Sequence, residues 1–237
     1  MQRALQKALS RRTSQNLASR QIFAGVALSA EAARVGSDLE RWKLLLAQGA
    51  HINPCNSRLH PAARAGLVPV GEDEQSVQEA YTPDGQCFGC GPSSEGGLHM
   101  RSFRTKDGLE SWVSFPAKYS AFPGILNGGL VSAAFECQGN WTAAVALMDR
   151  SSLPKPPMTL TAELLVQHRR PCPPDTDIVL RSHVLEIRGG PSAGYPGTGG
   201  KVAVEVELNL MLPEGGRSNL VSTARGIFKR VAAVRAL

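Results

Sequence analysis

Glu136 is the only carboxylate between Glu110 and Asp149, and it sits in an apolar segment that opens with Asn127-Gly128-Gly129. An unpaired carboxylate among Leu130, Val131, Phe135 and Trp141 would cost several kcal/mol on burial, so it calls for a partner or a catalytic task. The glycines add a second ingredient. The first amide N–H groups of a helix have no partner within it, and its dipole favours an anion there. Gly128 and Gly129 have no side chain to keep a carbonyl from approaching. A base or nucleophile plus amide donors suit attack on an acyl carbon, with Gly128 as oxyanion donor and Gly129 beside it.

Elements that could position these residues are written in the periodicity. An apolar helix is expected from about 128 to 148, preceded by strands at 98–104 and 109–115 joined through Lys106-Asp107-Gly108. Strands follow at 158–168, 177–187, 201–212 and 219–230. In the third of these Val202, Val204, Val206, Leu208, Leu210 and Leu212 alternate with Ala203, Glu205, Glu207, Asn209 and Met211, a period of two with one face buried. One helix apolar on nearly all sides must be buried on nearly all sides, and an antiparallel sheet curled around it meets that demand in an α+β domain.

Composition narrows the rest. The 237-residue chain carries a net charge of +6, but residues 1–34 hold six basic residues against Glu31 alone, leaving +1 for everything after them. Nucleic-acid binding by the core is therefore not expected. The Arg-rich, acid-poor residues 1–34 have the composition of an organelle transit peptide, mitochondrial or plastid, the alternative being a basic tail on a cytoplasmic protein. Residues 35–85 read as a linker or N-terminal extension, with a short helix from Leu39 to Ala47. No apolar run approaches the roughly 20 residues of a membrane span. Five scattered cysteines do not form a secreted disulfide framework. Cys87-x-x-Cys90 invites zinc, but no second pair stands at ligand spacing. It is read as a tight turn, with Cys137 isolated and buried on the helix and no metal expected. The Gly-rich stretch 189–200 lacks the spacing of a phosphate loop and is read as a long hairpin loop.

Taken in order, Cys87-Phe88-Gly89-Cys90-Gly91 with Gly97-Leu98, Phe122-Pro123-Gly124-Ile125-Leu126-Asn127-Gly128-Gly129, Glu136, Leu160-Thr161-Ala162-Glu163-Leu164 to Arg170-Pro171, and Ser222-Thr223-Ala224-Arg225-Gly226-Ile227-Phe228 resemble the hotdog-fold acyl-CoA thioesterases in their phenylacetate-pathway-like branch. The resemblance covers residues 86–232. It implies a hotdog fold, an antiparallel sheet wrapped around one long central helix, assembled as a homodimer or a dimer of dimers. It further implies hydrolysis of an acyl-CoA thioester with no cofactor. The family's acid falls on Glu136 and its Ser or Thr on Thr161, whereas its usual His-Gly-Gly is Asn127-Gly128-Gly129 here. Asn127 is a good N-cap and can keep the structural part of that histidine's work, but not a proton transfer.

Glu136 lies eight residues beyond Gly128, about 12 Å along a helix axis. One carbonyl cannot reach both, so a composite site is expected, with Gly128 from one subunit and Glu136 from its neighbour. His168, Arg169 and Arg170, with Lys229 and Arg230, are candidate contacts for the coenzyme A phosphates. Hotdog dehydratases share Phe122-Pro123-Gly124, Glu136 and Gln138, but need a histidine where Ala121 stands. A catalytically inactive hotdog domain, acting as an acyl-binding or structural subunit of an organellar assembly, is the alternative reading.

Overall fold

The computed structural model describes residues 38–189, 202–213 and 219–231. The basic segment 1–34 and nearly all of the Gly-rich loop at 189–200 lie outside the described residues.

Among the described residues eight strands and four α-helices follow one another: α1 (Asp38–Ala47), α2 (Pro61–Arg64), α3 (Val77–Tyr81), β1 (Ser102–Arg104), β2 (Gly108–Val113), β3 (Ser120–Phe122), β4 (Ile125–Leu126), α4 (Gly128–Arg150), β5 (Thr159–His168), β6 (Ile178–Arg188), β7 (Ala203–Met211) and β8 (Leu220–Arg230). Six strands form one sheet in the order β1-β2-β6-β7-β8-β5, every neighbour antiparallel. Helix α4 packs across β2 and β5 to β8. This is the hotdog fold.

The alternation in β7 does what its period requires. Val204, Val206, Leu208 and Leu210 are fully buried against α4, together with Phe135 of the helix and Phe228 of β8. Burying each such side chain contributes roughly 2 kcal/mol. Close approach depends on Gly139, where an added Cβ would stand 2.2 Å from Phe228 Cζ. Glu205 is the exception to the pattern, buried on the polar face of the strand. Arg225 and Arg188 both bond its carboxylate, which offsets the burial.

A polar cage inside the core fixes the rotation of α4. Gln138 accepts from Ser102 Oγ at 2.8 Å and Ser111 Oγ at 2.7 Å and donates to Ser182 Oγ at 3.2 Å. Gln78 of α3 donates to Ser102 Oγ and accepts from its amide, both at 2.9 Å. Residues two apart on a helix differ by about 200°. With Gln138 held against the sheet's first strands, Glu136 must therefore face elsewhere, and it faces β5.

The expected first strand at 98–104 is shorter in the structure. Leu98 N–H and Met100 N–H bond to Phe88 O and Gly89 O instead of to β2, and His99 adopts a positive φ of 49°. Strand pairing begins only at Ser102. The hairpin of β3 and β4 is absent from the sequence reading. Its turn, Phe122-Pro123-Gly124-Ile125, has Gly124 at φ 75°, the position where a type II turn wants glycine after proline.

Residues 38–85 pack against the first strands and the second half of α4. Cys55 and Val77 are buried with Leu109 and Val145, and Arg104 makes two hydrogen bonds to Asp149 at 2.7 and 3.1 Å. His60 is fully buried, its ring centroid 5.2 Å from that of Trp42, and its Nδ1 accepts the Ala62 N–H at the start of α2. Burial, and then the Arg104 charge, hold the imidazole down at about 3. A group with a depressed folded pKa contributes stability that is present above its unfolded value near 6.5 and is lost as pH falls toward 3. Chemical denaturation between pH 7 and pH 5 should show stability falling by up to about 1.4 kcal/mol per pH unit below 6.5 from this residue. The drop should shrink in His60→Asn, and an equal drop in that variant would contradict the assignment.

Candidate active site at the start of the central helix

Helix α4 begins on a cap. Asn127 has extended backbone at φ −62° and ψ 125°, and its side-chain oxygen accepts the Gly129 N–H at 2.8 Å. The Asn127 carbonyl accepts the N–H of Leu130 at 3.0 Å. The Gly129 amide expected beside the oxyanion donor is thus engaged by the cap. The Gly128 N–H has no acceptor among the described residues, and Gly128 is only half-buried. One free amide therefore stands at the positive end of a 23-residue helix.

His168 approaches that amide from the end of β5. Its register partner in β8 is Ser222, and Nδ1 lies 3.2 Å from Ser222 Oγ. The opposite ring nitrogen turns toward the helix, where a Cβ at Gly128 would stand 3.1 Å from Nε2. Residue 127 is an asparagine that cannot titrate, and an imidazole reaches the same helix end from residue 168. Gly128, Val131, His168, Arg169, Arg170 and Cys172 line a pocket of about 300 Å³, with Ile125, Leu126 and Pro171. That is the small end of the range for ligand sites. Burial pushes the Cys172 thiol up to about 11, so it is no nucleophile there. A second pocket of about 380 Å³ lies across the helix start, between Phe88, Lys118, Tyr119, Ser120, Asn127, Gly129, Leu130 and Ala133.

Glu136 stands apart from both pockets and is not unpaired. Its Oε1 accepts from Thr161 Oγ1 at 2.7 Å and from Asn140 Nδ2 at 2.9 Å. Asn140 Nδ2 also donates to Thr161 Oγ1 at 3.0 Å, while Asn140 Oδ1 accepts from Thr159 Oγ1 at 2.8 Å. One carboxylate oxygen is thus anchored between α4 and β5. The other has, among the described residues, only the Cys137 thiol as a hydrogen-bond partner, at 3.8 Å. Asn140 is the residue that sequence reasoning missed. It stands four positions after Glu136, the spacing at which helix side chains meet.

Among the candidates for phosphate contacts, His168, Arg169 and Arg170 share the pocket with Gly128. Lys229 and Arg230 do not, because they pair with Leu160 and Thr159 at the far end of β5. Gln138, the position at which the chain resembles the hotdog dehydratases, is enclosed in the serine cage. Cys137 is not isolated. Its sulfur lies 3.7 Å from that of Cys87, with Cys90 in the same group. No helix among the described residues is long and apolar enough to cross a membrane.

No family model matches the chain, and no curated protein matches it. Among solved structures, a thioesterase superfamily protein from Shewanella loihica is 18% identical, with 60% of this chain and 98% of that one covered and a TM-score of 0.43. A thioesterase family protein from Silicibacter pomeroyi is 17% identical, covering 57% and 87% at a TM-score of 0.43. A thioesterase from Haemophilus influenzae is 13% identical, covering 58% and 82% at 0.42.

Proposed function

We propose that the chain hydrolyses an acyl-CoA thioester to the free acid and coenzyme A, at composite sites built by two copies. The observation that carries this reading is the free Gly128 N–H, opening into one pocket with His168, Arg169 and Arg170. The thioester oxygen sits against the Gly128 amide, which meets the charge that develops there. With Ser222 donating to Nδ1, His168 presents an N–H at Nε2 to the same oxygen. Arg169 and Arg170 take the phosphates of coenzyme A. Glu136 of the neighbouring copy acts on the carbonyl carbon, directly or through water, its orientation fixed by Thr161 and Asn140.

The acid cannot come from the same copy, since about 12 Å of helix separates residues 128 and 136. The edge strand β5 supports a way to bring a second copy in. Among the described residues its outer edge has no neighbour in the sheet, and Leu160 and Leu165 of the strand are more than half exposed. Pairing two copies through β5 would cover both leucines and set the Glu136 network of each beside the helix start of the other.

Release of free thiol from short, medium, long and aromatic acyl-CoAs tests the activity. Turnover of at least one is expected, and binding without any thiol release would leave only an acyl-binding role. His168→Gln should lower kcat roughly 10²-fold, the cost of losing one oxyanion donor. An unchanged kcat would remove His168 from the reaction. For residues 1–34 we propose an organellar address, mitochondrial in the first instance. A reporter fused to residues 1–40 should be imported, and a purely cytosolic one would end that idea.

A further inference from the structure

The turn around Cys87 and Cys90 is built against helix α4 in a way that packing alone does not require. Among the described residues, the sulfurs of Cys87, Cys90 and Cys137 all lie within 4.8 Å of one another, those of Cys87 and Cys137 at 3.7 Å. Four thiolates at 2.3 Å from a tetrahedral Zn²⁺ stand about 3.8 Å apart, so the group is already near ligating spacing. Glycine is needed at two points to achieve this. A Cβ at Gly89 would stand 2.4 Å from Cys137 Sγ, and one at Gly91 would stand 2.5 Å from both Cys87 N and Gly85 O. The turn itself closes through the Gly91 N–H on Cys87 O at 2.8 Å.

Trp141 Nε1 lies 3.4 Å from Cys90 Sγ and donates to it, as an outer-shell group does to a ligating sulfur. Cys87 is exposed and the other two are buried, which leaves the group open to solvent on one side.

We infer that Cys87, Cys90 and Cys137 form a binding site for a thiophilic d¹⁰ cation of the Zn²⁺ class, which ties the 87–91 turn to helix α4. Each thiol loses its proton to solvent as the ion binds, and no electron is transferred. Three thiolates fill three of the four positions such an ion takes, and water enters from the side of Cys87. The consequence for the fold is local. Phe88, between the first two ligands, forms a wall of the pocket that also contains Tyr119 and Leu130. A bound ion would fix that wall.

The full chain, reduced with a phosphine, stripped with a chelator and kept anaerobic, is titrated with Co²⁺ and then Zn²⁺. A sulfur-to-cobalt charge-transfer band with tetrahedral d–d bands should saturate at one ion per chain and be displaced by Zn²⁺. Cys87→Ser, at the exposed position, should weaken Zn²⁺ binding by about 10²-fold or more, since loss of an outer-shell partner alone costs 10–100-fold. Circular dichroism should show that its fold is kept. Cys172→Ser, buried away from the group, should leave the titration unchanged. Absence of the charge-transfer band in the reduced wild-type chain would overturn the site. So would a band that survives undiminished in both Cys87→Ser and Cys90→Ser.

Discussion

Glu136→Gln is expected to lower kcat for acyl-CoA hydrolysis by about 10³-fold with little change in KM or in thermal stability. The amide keeps the shape of the carboxylate and can still accept from Thr161 Oγ1 and Asn140 Nδ2 at Oε1, so the α4–β5 anchor survives. What it loses is the ability to take a proton or attack a carbonyl. Comparison with Thr161→Val separates the two roles of the network. That variant leaves the carboxylate in place but frees its orientation, and a smaller loss in kcat is expected. Turnover by Glu136→Gln at the wild-type rate would mean that Glu136 only joins the helix to the edge strand.

Placing lysine at both Leu160 and Leu165 is expected to dissociate the assembly and, with it, the activity. Both residues belong to β5, the edge strand of the sheet among the described residues, where lysine disfavours pairing with another strand. They are more than half exposed in a single copy, so the substitution should leave the fold of that copy intact. Sedimentation should give a monomer, circular dichroism should be unchanged, and kcat/KM should fall to the level of Glu136→Gln. A fully active monomer would refute shared sites, and an unchanged dimer would show that another surface makes it.

The long strands and α4 were legible in the sequence because each of them has one strong period. Strand β7 alternates over its whole length, and α4 is a mainly apolar segment, interrupted by Glu136, Gln138 and Asn140, between a cap and Arg150. The Asn127 cap could be read for the same reason, being a contact two residues long. What could not be read is what the sheet brings together. His168 reaches Gly128 only because β5 pairs with β8 in the register that sets it beside Ser222, a residue 54 positions away. Cys137 meets Cys87 across 50 positions, through a loop whose backbone bonds to residues 98 and 100 also cut short the expected first strand. Glu136 looked unpaired because its partners are a neutral Thr and Asn, which carry no charge signal. Asn140 was within reach of the i, i+4 rule, but polar residues on a helix ordinarily mean solvent.

Subunit mixing tests the composite site most directly. Glu136→Ala chains keep an intact helix start, and Gly128→Val chains keep the acid but crowd the amide and His168 Nε2. Each alone should be inactive. Unfolded together in equal amounts and refolded, half of the dimers should be mixed, and each mixed dimer should hold one complete site. Recovery of about a quarter of wild-type activity is expected for two-fold dimers of this kind. No recovery, from mixed dimers shown by mass to have formed, would contradict the sharing of Gly128 and Glu136 between copies.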